Sequence, residues 1–184
     1  MIASFTTIGH SNRSLEEFIA MLQAAEVTLL IDVRTFPRSR ANPVFNIEIL
    51  PAELDKVKID YQHWPALGGR RNKHLKVNKE LNQLWRVQAF HNYADYALSE
   101  EFMSAFHALV EVGQRQRVAL MCSEAVWWRC HRRIITDYLL LNGHQVDHIM
   151  AIGRIDTARP TSGAQKTSAG QVVYPATDES LPIQ

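Results

Sequence analysis

The first 34 residues constrain the fold most, because they show a strand pattern, a helix pattern and a second strand pattern in succession. Residues 5–8 form the first, short strand pattern. Ser14 and Glu17 then form a capping box, and apolar residues follow at helical spacing, at Leu15, Phe18, Ile19 and Leu22. Residues 28–33 are a continuous β-branched and leucine run, typical of a strand buried on both faces. A βαβ succession implies a parallel pair of strands.

The same alternation continues along the rest of the chain. Further strand patterns lie at residues 59–63, 117–121 and 146–149. Ser99 can cap a helix that starts with Glu100, residues 127–141 form another helix pattern, and residues 35–51 form a long loop with a short helix near Ile47. We therefore predict an α/β fold, a three-layer sandwich with a mostly parallel central sheet of about five strands.

The composition changes at Gly153. Residues 153–184 are rich in Thr, Ser, Gly and Pro and contain few large apolar side chains. We predict that residues 1–152 form a single α/β domain and that residues 153–184 form a flexible C-terminal tail. An edge strand at residues 172–174 that docks on the domain is the alternative.

The overall composition favours neither a membrane partner nor a nucleic-acid partner. The net charge of the 184 residues is +1, so nucleic-acid binding would depend on a local basic cluster. No apolar run approaches the ~20 residues that cross a bilayer, and no signal peptide is visible. With two cysteines, we expect a cytoplasmic protein without a membrane partner, whose thiols are reduced or bound to metal.

Both cysteines lie in one segment, eight positions apart. Cys122 falls between the end of a predicted strand and the start of a predicted helix. The positive end of that helix and the nearby arginines lower the pKa of a thiol at this position. Cys122 is therefore a candidate nucleophile, and Glu124 is a candidate general acid or base. A cysteine that only packs in the core is the alternative.

Cys130 has a different expected role. It precedes Ile134 by four positions, on the apolar side of the predicted helix, which favours a small packing residue. A zinc pair with Cys122 would need two more ligands, from among His10, His63 and His131, and the spacing matches no common zinc motif. We predict no metal site, and the sequence names no cofactor.

Polar residues also follow the other predicted strands, and parallel strands bind ligands beyond their carboxyl ends. His10 follows the first strand and Asp32 ends the second, so both are candidate catalytic groups. A structural histidine, and an aspartate that caps the next turn, are the alternatives.

Arginines and glycines in the same loops favour an anion-binding site. Guanidinium groups bind phosphate and carboxylate, and glycine lets the backbone approach a ligand closely. A solvated basic face is the alternative. The candidate anion-binding residues are Arg34, Arg40, Gly68, Gly69, Arg70, His131 and Arg132.

Taken in order, these motifs resemble the family named domain of unknown function 488. The shared pattern covers roughly residues 5–150 and consists of Thr7 to Ser11, Asp32 to Arg34 with Pro37, Ser39 and Arg40, Leu67 to Gly69, Cys122 with Glu124, and Cys130 to Arg132. Trp127 and Trp128 depart from the family, which more often has small or polar residues with a proline there. The resemblance implies an α/β fold and no established activity.

These residues lead to one expected function and two alternatives. We expect a hydrolase or transferase with a catalytic Cys or Glu, acting on a phosphate-bearing or other anionic small molecule such as a nucleotide. The alternatives are a non-catalytic module that binds a nucleotide or nucleic acid, and a thiolate metal or redox site. Cysteine phosphatases place an arginine six residues after the thiol, where this chain has Trp128. The likeness to rhodanese-type sulfurtransferases is only topological.

Overall fold

Six strands form one sheet in the computed structural model, which describes residues 1–74 and 76–177. They are β1 (Ser4–Gly9), β2 (Leu29–Asp32), β3 (Asp60–His63), β4 (Val118–Cys122), β5 (Gln145–Ala151) and β6 (Arg154–Thr157), in the spatial order β3-β2-β4-β1-β5-β6. The first five are parallel, and β6 pairs with β5 in the antiparallel sense. The predicted mostly parallel sheet is confirmed, and β6 extends it by one strand.

Helices cover both faces of the sheet. Within the described residues they are α1 (Leu15–Ala24), α2 (Leu50–Asp55), α3 (Gln88–Tyr96), α4 (Glu100–Gly113) and α5 (Arg132–Leu141). Ser14 and Ser99 cap α1 and α4 as predicted, because each side chain accepts a hydrogen bond from an amide of the first turn. The short helix expected near Ile47 is a 3-10 turn at Pro43–Phe45, and α2 follows it.

The three layers follow from the alternation of side chains along the buried strands. In β2, Leu30 packs on the face that carries α1 and α2, whereas Leu29 and Ile31 pack on the face that carries α3, α4 and α5. All four residues of β2 are buried, as the continuous apolar run predicts. No helix among residues 1–74 and 76–177 combines the length and the apolar character needed to cross a membrane.

The packing of residues 153–177 differs from the tail that the composition predicts. Arg154–Thr157 forms β6, and two short strands, β7 (Gln165–Lys166) and β8 (Val172–Val173), pair with each other. Tyr174 is fully buried, and its hydroxyl donates to Asp137 Oδ2 at 2.7 Å. A few well-placed side chains therefore hold this segment on α5, although its mean content of large apolar residues is low. Residues 178–184 of the predicted tail lie outside the described residues.

The helix predicted for residues 127–141 begins later than expected. Trp127–Arg129 forms a 3-10 turn, and Cys130 has an extended backbone (φ −126°, ψ 150°). The regular helix α5 starts only at Arg132. One reason is that Trp127 is stacked on His148 with ring centroids 4.3 Å apart, which fixes the loop before the helix. Cys130 thus lies in front of the helix N-terminus, not on its apolar face.

Candidate functional site

The candidate site lies at the carboxyl edge of the sheet, between β1 and β4. Gly9 is in register with Cys122, and Asp32 with Met121, so these strands end together. The helices that follow β1 and β4 lie on opposite faces of the sheet, which opens a crevice between the two strand ends. Backbone pairing continues beyond the strands, because His10 N donates to Cys122 O at 3.0 Å.

A cavity of about 320 Å³ opens at this edge. Six of the predicted site residues line it: Cys122, Glu124, Arg34, Gly69, Arg70 and His131. Five others are not part of its lining: His10, Asp32, Arg40, Gly68 and Arg132. Among the other lining residues, sequence reasoning gave no site role to Phe36 and Phe90, and it expected Cys130 to be a packing residue.

The two cysteines meet at the bottom of the loop that follows β4. Their Sγ atoms lie 2.7 Å apart, and both thiols are free. Cys122 is 3% exposed and Cys130 is 6% exposed, and both line the cavity. The cavity is therefore the route by which a small reactant reaches either sulfur.

The sulfur of Cys130 is surrounded by hydrogen-bond donors. Arg132 approaches it with Nε at 3.4 Å and with its backbone N at 3.5 Å. His131 Nδ1 lies 3.5 Å away, and His131 Nε2 donates to the carbonyl oxygen of Val33 at 2.9 Å. Because Nε2 carries a proton, Nδ1 of neutral His131 is free to accept the proton of the Cys130 thiol. This arrangement suits a thiolate paired with an imidazolium.

The environment separates the acidities of the two thiols. Burial raises the pKa of Cys122, and its hydrogen bond to Cys130 raises the pKa further. Burial also opposes ionisation of Cys130. The hydrogen bond from Cys122 and the positive charges of His131 and Arg132 outweigh that effect and hold the pKa of Cys130 well below its usual value. Of the two thiols, Cys130 is therefore the one whose surroundings favour the thiolate.

Arg132 lies behind the sulfurs, not in the cavity. It is 1% exposed, and its Nη1 donates to Thr7 Oγ1 at 3.2 Å. Its Nη2 donates to the carbonyl oxygen of Glu124 and so fixes the loop that carries both cysteines. Since its donors are committed inside the protein, Arg132 acts on the thiols and not as a direct ligand of a bound anion.

Asp32 and Arg34 form a buried ion pair beneath the cavity. Arg34 donates to Asp32 through Nη2 at 2.6 Å and through Nε at 2.9 Å, and to the carbonyl oxygen of Phe45 at 2.8 Å. The hydroxyl of Tyr61 donates to the same carboxylate. Asp32 is fully buried and has its oxygens occupied. The carboxylate therefore orients Arg34, and a direct role in proton transfer would require these contacts to break.

His10 supports the same arginine. Its Nδ1 bonds to the carbonyl oxygen of Ser11 at 2.8 Å, so its Nε2 is left to accept from Arg34 Nη1 at 3.3 Å. The ring is 1% exposed and stacks on Phe45. Burial lowers the pKa of His10 to about 4, and the nearby charge of Arg34 acts in the same direction. His10 is therefore neutral near pH 7 and lies behind the cavity wall.

Glycines allow three loops to approach each other closely. A Cβ atom on Gly69 would lie 2.3 Å from His131 Nδ1, and a Cβ on Gly68 would lie 2.8 Å from Thr35 Oγ1. A Cβ on Gly9 would lie 1.9 Å from the carbonyl oxygen of Glu124. Any side chain at these positions would move the backbone or the ring that holds the cysteine loop, since such approaches are far inside van der Waals contact.

The mouth of the cavity is basic and aromatic. Arg38 forms an ion pair with Glu48, whereas Arg70 lies over the exposed ring of Phe36 at 5.5 Å. Arg129 is exposed on the cysteine loop. Of the four arginines that line the cavity, Arg34 and Arg38 are paired with Asp32 and Glu48, which leaves Arg70 and Arg129 beside one lining carboxylate, that of Glu124. Although the chain as a whole is nearly neutral, this opening carries a local excess of positive charge.

Glu124 has a structural contact as well as access to the cavity. Its Oε1 accepts from the amide of Val126 at 3.2 Å, which closes the first turn of the cysteine loop. The residue is exposed, so a substrate in the cavity can reach its carboxylate. Over residues 1–74 and 76–177, no group of three or more His, Cys, Asp or Glu side chains is placed to hold a metal ion.

The fold and the site are those of an α/β protein with a paired-cysteine loop at the sheet's switch point. The chain belongs to the family described as Domain of unknown function DUF488, whose profile matches residues 14–139. The family resemblance expected from the ordered motifs is confirmed. Searches found no significant match among curated proteins or among solved structures.

Proposed function

We propose that this protein is an enzyme that binds an anionic small molecule in the cavity and attacks it with the Cys130 thiolate. The observation that carries the proposal is the set of polar groups of Cys122, His131 and Arg132 around the Cys130 sulfur, at the wall of an arginine-lined cavity. A low-pKa thiol that can be reached from a cavity is typical of catalytic cysteines and not of packing cysteines.

The chemistry proposed is that of a hydrolase or a transferase. Cys130 adds to an electrophilic centre of the substrate, the bond to the leaving group breaks, and the leaving group takes a proton from His131 or from Glu124. Water or an acceptor then attacks the group on the cysteine, the bond to sulfur breaks, and the Cys130 thiolate is regenerated. Cys122 donates a hydrogen bond that keeps the attacking sulfur ionised before substrate arrives. This mechanism moves the nucleophile from Cys122, which the sequence favours, to Cys130.

The substrate class follows from the mouth of the cavity. Arg70 and Arg129 have no carboxylate partner among the residues that the structure describes, so their charge is available to phosphate. Phe36 is 64% exposed and Phe90 is half-buried, and either ring can stack on a base. A volume of about 320 Å³ lies at the lower end of small-ligand sites. These features favour a mononucleotide over a larger ligand. We place the protein in the reducing cytoplasm.

A thermal-shift panel with phosphate, sulfate, nucleosides, nucleotides and short single-stranded DNA tests the proposal. A ligand at 100 times its dissociation constant adds roughly 2.7 kcal/mol of stability, which is readily measured. We expect nucleotides to stabilise wild type and Cys130→Ser alike, and not the double variant Arg70→Gln, Arg129→Gln. Arg115→Gln is the matched control, since this exposed arginine lies at the opposite edge of the sheet.

Turnover of the stabilising ligand is then measured by product analysis. We expect Cys130→Ser to bind and not to turn the ligand over. A flat panel, or turnover that survives Cys130→Ser, contradicts the proposal.

The same exposed rings and arginines favour one second candidate, a module that binds single-stranded nucleic acid without catalysis. Its signature is strongly salt-dependent binding of DNA that needs Arg70 and Arg129 and is indifferent to both cysteines.

A further inference from the structure

We propose that Cys122 and Cys130 form a reversible disulfide, in which Cys130 is the site oxidised by a hydroperoxide and Cys122 is the resolving thiol. The inference does not depend on the enzymatic activity proposed above, since it concerns the cysteines and their own reaction. It starts from the distance of 2.7 Å between the two Sγ atoms, which only a small displacement separates from bonding.

The two sulfurs have the unequal character that such a pair requires. Peroxide reacts with a thiolate, and the sulfur of Cys130 has Arg132 and His131 as neighbours that favour its ionised form. The sulfur of Cys122 also lies 3.8 Å from the carbonyl oxygen of Glu124, which can accept the thiol proton when that proton is not donated to Cys130. Oxidation therefore starts at Cys130.

The reaction balances with hydrogen peroxide as the oxidant. The Cys130 thiolate attacks one peroxide oxygen, the O–O bond breaks, and the sulfur becomes a sulfenic acid while hydroxide leaves and is protonated to water. The sulfur of Cys122 then attacks the sulfenic sulfur, the S–OH bond breaks, and the thiol proton leaves with hydroxide as a second water. Two thiols and one peroxide give one disulfide and two waters, and an external dithiol reverses the step.

The surroundings favour resolution over further oxidation. Both sulfurs are nearly buried, and the cavity is the path by which a small peroxide reaches them. The sulfenic acid therefore forms in contact with Cys122. The loop between the cysteines is held by two hydrogen bonds, one from Arg132 Nη2 to the carbonyl oxygen of Glu124 and one from the amide of Val126 to Glu124 Oε1. Disulfide formation removes the thiolate, so the site would lose its nucleophile under oxidation and regain it on reduction.

Intact-mass analysis of reduced protein treated with one equivalent of hydrogen peroxide tests the inference, with peptide mapping to separate cysteine from methionine oxidation. Because the chain has only two cysteines, the expected product, an intramolecular disulfide with both free thiols lost, is unambiguous. We expect Cys122→Ser to accumulate a sulfenic acid at Cys130 that dimedone traps. We expect Cys130→Ser to react at least tenfold more slowly than wild type.

Three results would overturn the inference. They are sulfinic or sulfonic acid on wild type without a disulfide, a disulfide between two chains in place of the internal one, and a Cys130→Ser variant that reacts as fast as wild type. The wild-type measurement decides the matter even if a serine variant fails to fold. If turnover survives in Cys130→Ser and the internal disulfide still forms in wild type, the proposed function fails and this inference stands.

Discussion

Arg132 is buried beside Cys130, with its Nε 3.4 Å from the cysteine sulfur and 1% of its surface exposed. No carboxylate in residues 1–74 or 76–177 forms an ion pair with it. A buried cation is costly unless an opposite charge accompanies it. A thiolate on Cys130 is the charge within reach, so folding that buries Arg132 also favours ionisation of the cysteine.

The first prediction concerns this pair. Arg132→Met keeps a long side chain and removes the positive charge that lowers the pKa of Cys130, so that pKa should rise toward its ordinary value. The measurement is the rate of iodoacetamide alkylation as a function of pH, with peptide mapping to assign the cysteine. Arg133→Met is the matched control, because the guanidinium of Arg133 lies over Trp85 and donates to Thr161. Equal pH midpoints for the two variants would refute the role given to Arg132.

Gly69 provides the second prediction. In Gly69→Ala the new Cβ would meet His131 Nδ1 at 2.3 Å, so the ring must move away from Cys130. We expect a loss of about 1–3 kcal/mol in the free energy of unfolding and slower alkylation of Cys130 near neutral pH. Gly170→Ala is the control, because the φ of +81° at Gly170 also strains an alanine. Gly170 contacts Asn142 after the C-terminal end of α5, whereas Cys130 lies before the N-terminal end of that helix. An unchanged alkylation rate in Gly69→Ala would show that His131 does not support the thiolate.

Asp32 provides the third prediction, which separates a structural carboxylate from a catalytic one. Asp32→Asn leaves the buried guanidinium of Arg34 without its counter-charge and should cost about 3 kcal/mol of stability in urea unfolding. Tyr61→Phe removes only one hydrogen bond to the same carboxylate and should cost about 1 kcal/mol. If Asp32→Asn unfolds like wild type but loses all turnover, Asp32 is a catalytic group and our account of it is wrong.

The fourth prediction is the acid sensitivity of the fold. Burial lowers the pKa of His10 and of His148 to about 4, whereas an unfolded histidine titrates near 6.5. Between pH 6.5 and pH 4 the two histidines therefore bind protons in the unfolded chain and not in the folded chain. The free energy of unfolding falls as the pH is lowered through this range. At pH 5 the loss should be about 2 kcal/mol for each histidine.

Melting temperatures at pH 7 and pH 5 check this prediction. The melting temperature of His148→Gln should differ less between pH 7 and pH 5 than that of wild type does. One of the two histidines that are protonated only on unfolding is absent from this variant. The control His107→Gln replaces an exposed histidine and should keep the full wild-type difference. The same difference in all three proteins would remove His148 as a cause.

The elements of the fold could be predicted because their signals are local. Ser14 and Ser99 stand directly before helical patterns, and the continuous β-branched and leucine run of β2 is typical of a strand covered on both faces. Tyr174 is the counterexample. Its burial depends on the hydroxyl contact with Asp137 on another element, which no local pattern within residues 153–177 records.

The division of roles at the site could not be predicted, because it depends on tertiary contacts. The sequence places Cys130 on a helix, yet its extended backbone in front of α5 turns its sulfur to Cys122, His131 and Arg132. The sequence predicts that Arg132 binds an anion, whereas in the structure its guanidinium donates to Thr7 and Glu124. The one sequence signal for Cys130 was its place in the Cys-His-Arg run, eight positions after the first cysteine.

The most direct test of the central claim is a pH titration of thiolate absorbance in wild type, Cys122→Ser and Cys130→Ser. The account predicts that wild type shows one thiolate with a midpoint clearly below the ordinary value of about 8.5 and that Cys130→Ser lacks it. In Cys122→Ser the low midpoint should persist, because the serine hydroxyl can donate a hydrogen bond to the sulfur in place of the thiol. A midpoint at or above the ordinary value in wild type, or a low midpoint that survives in Cys130→Ser, would contradict the account.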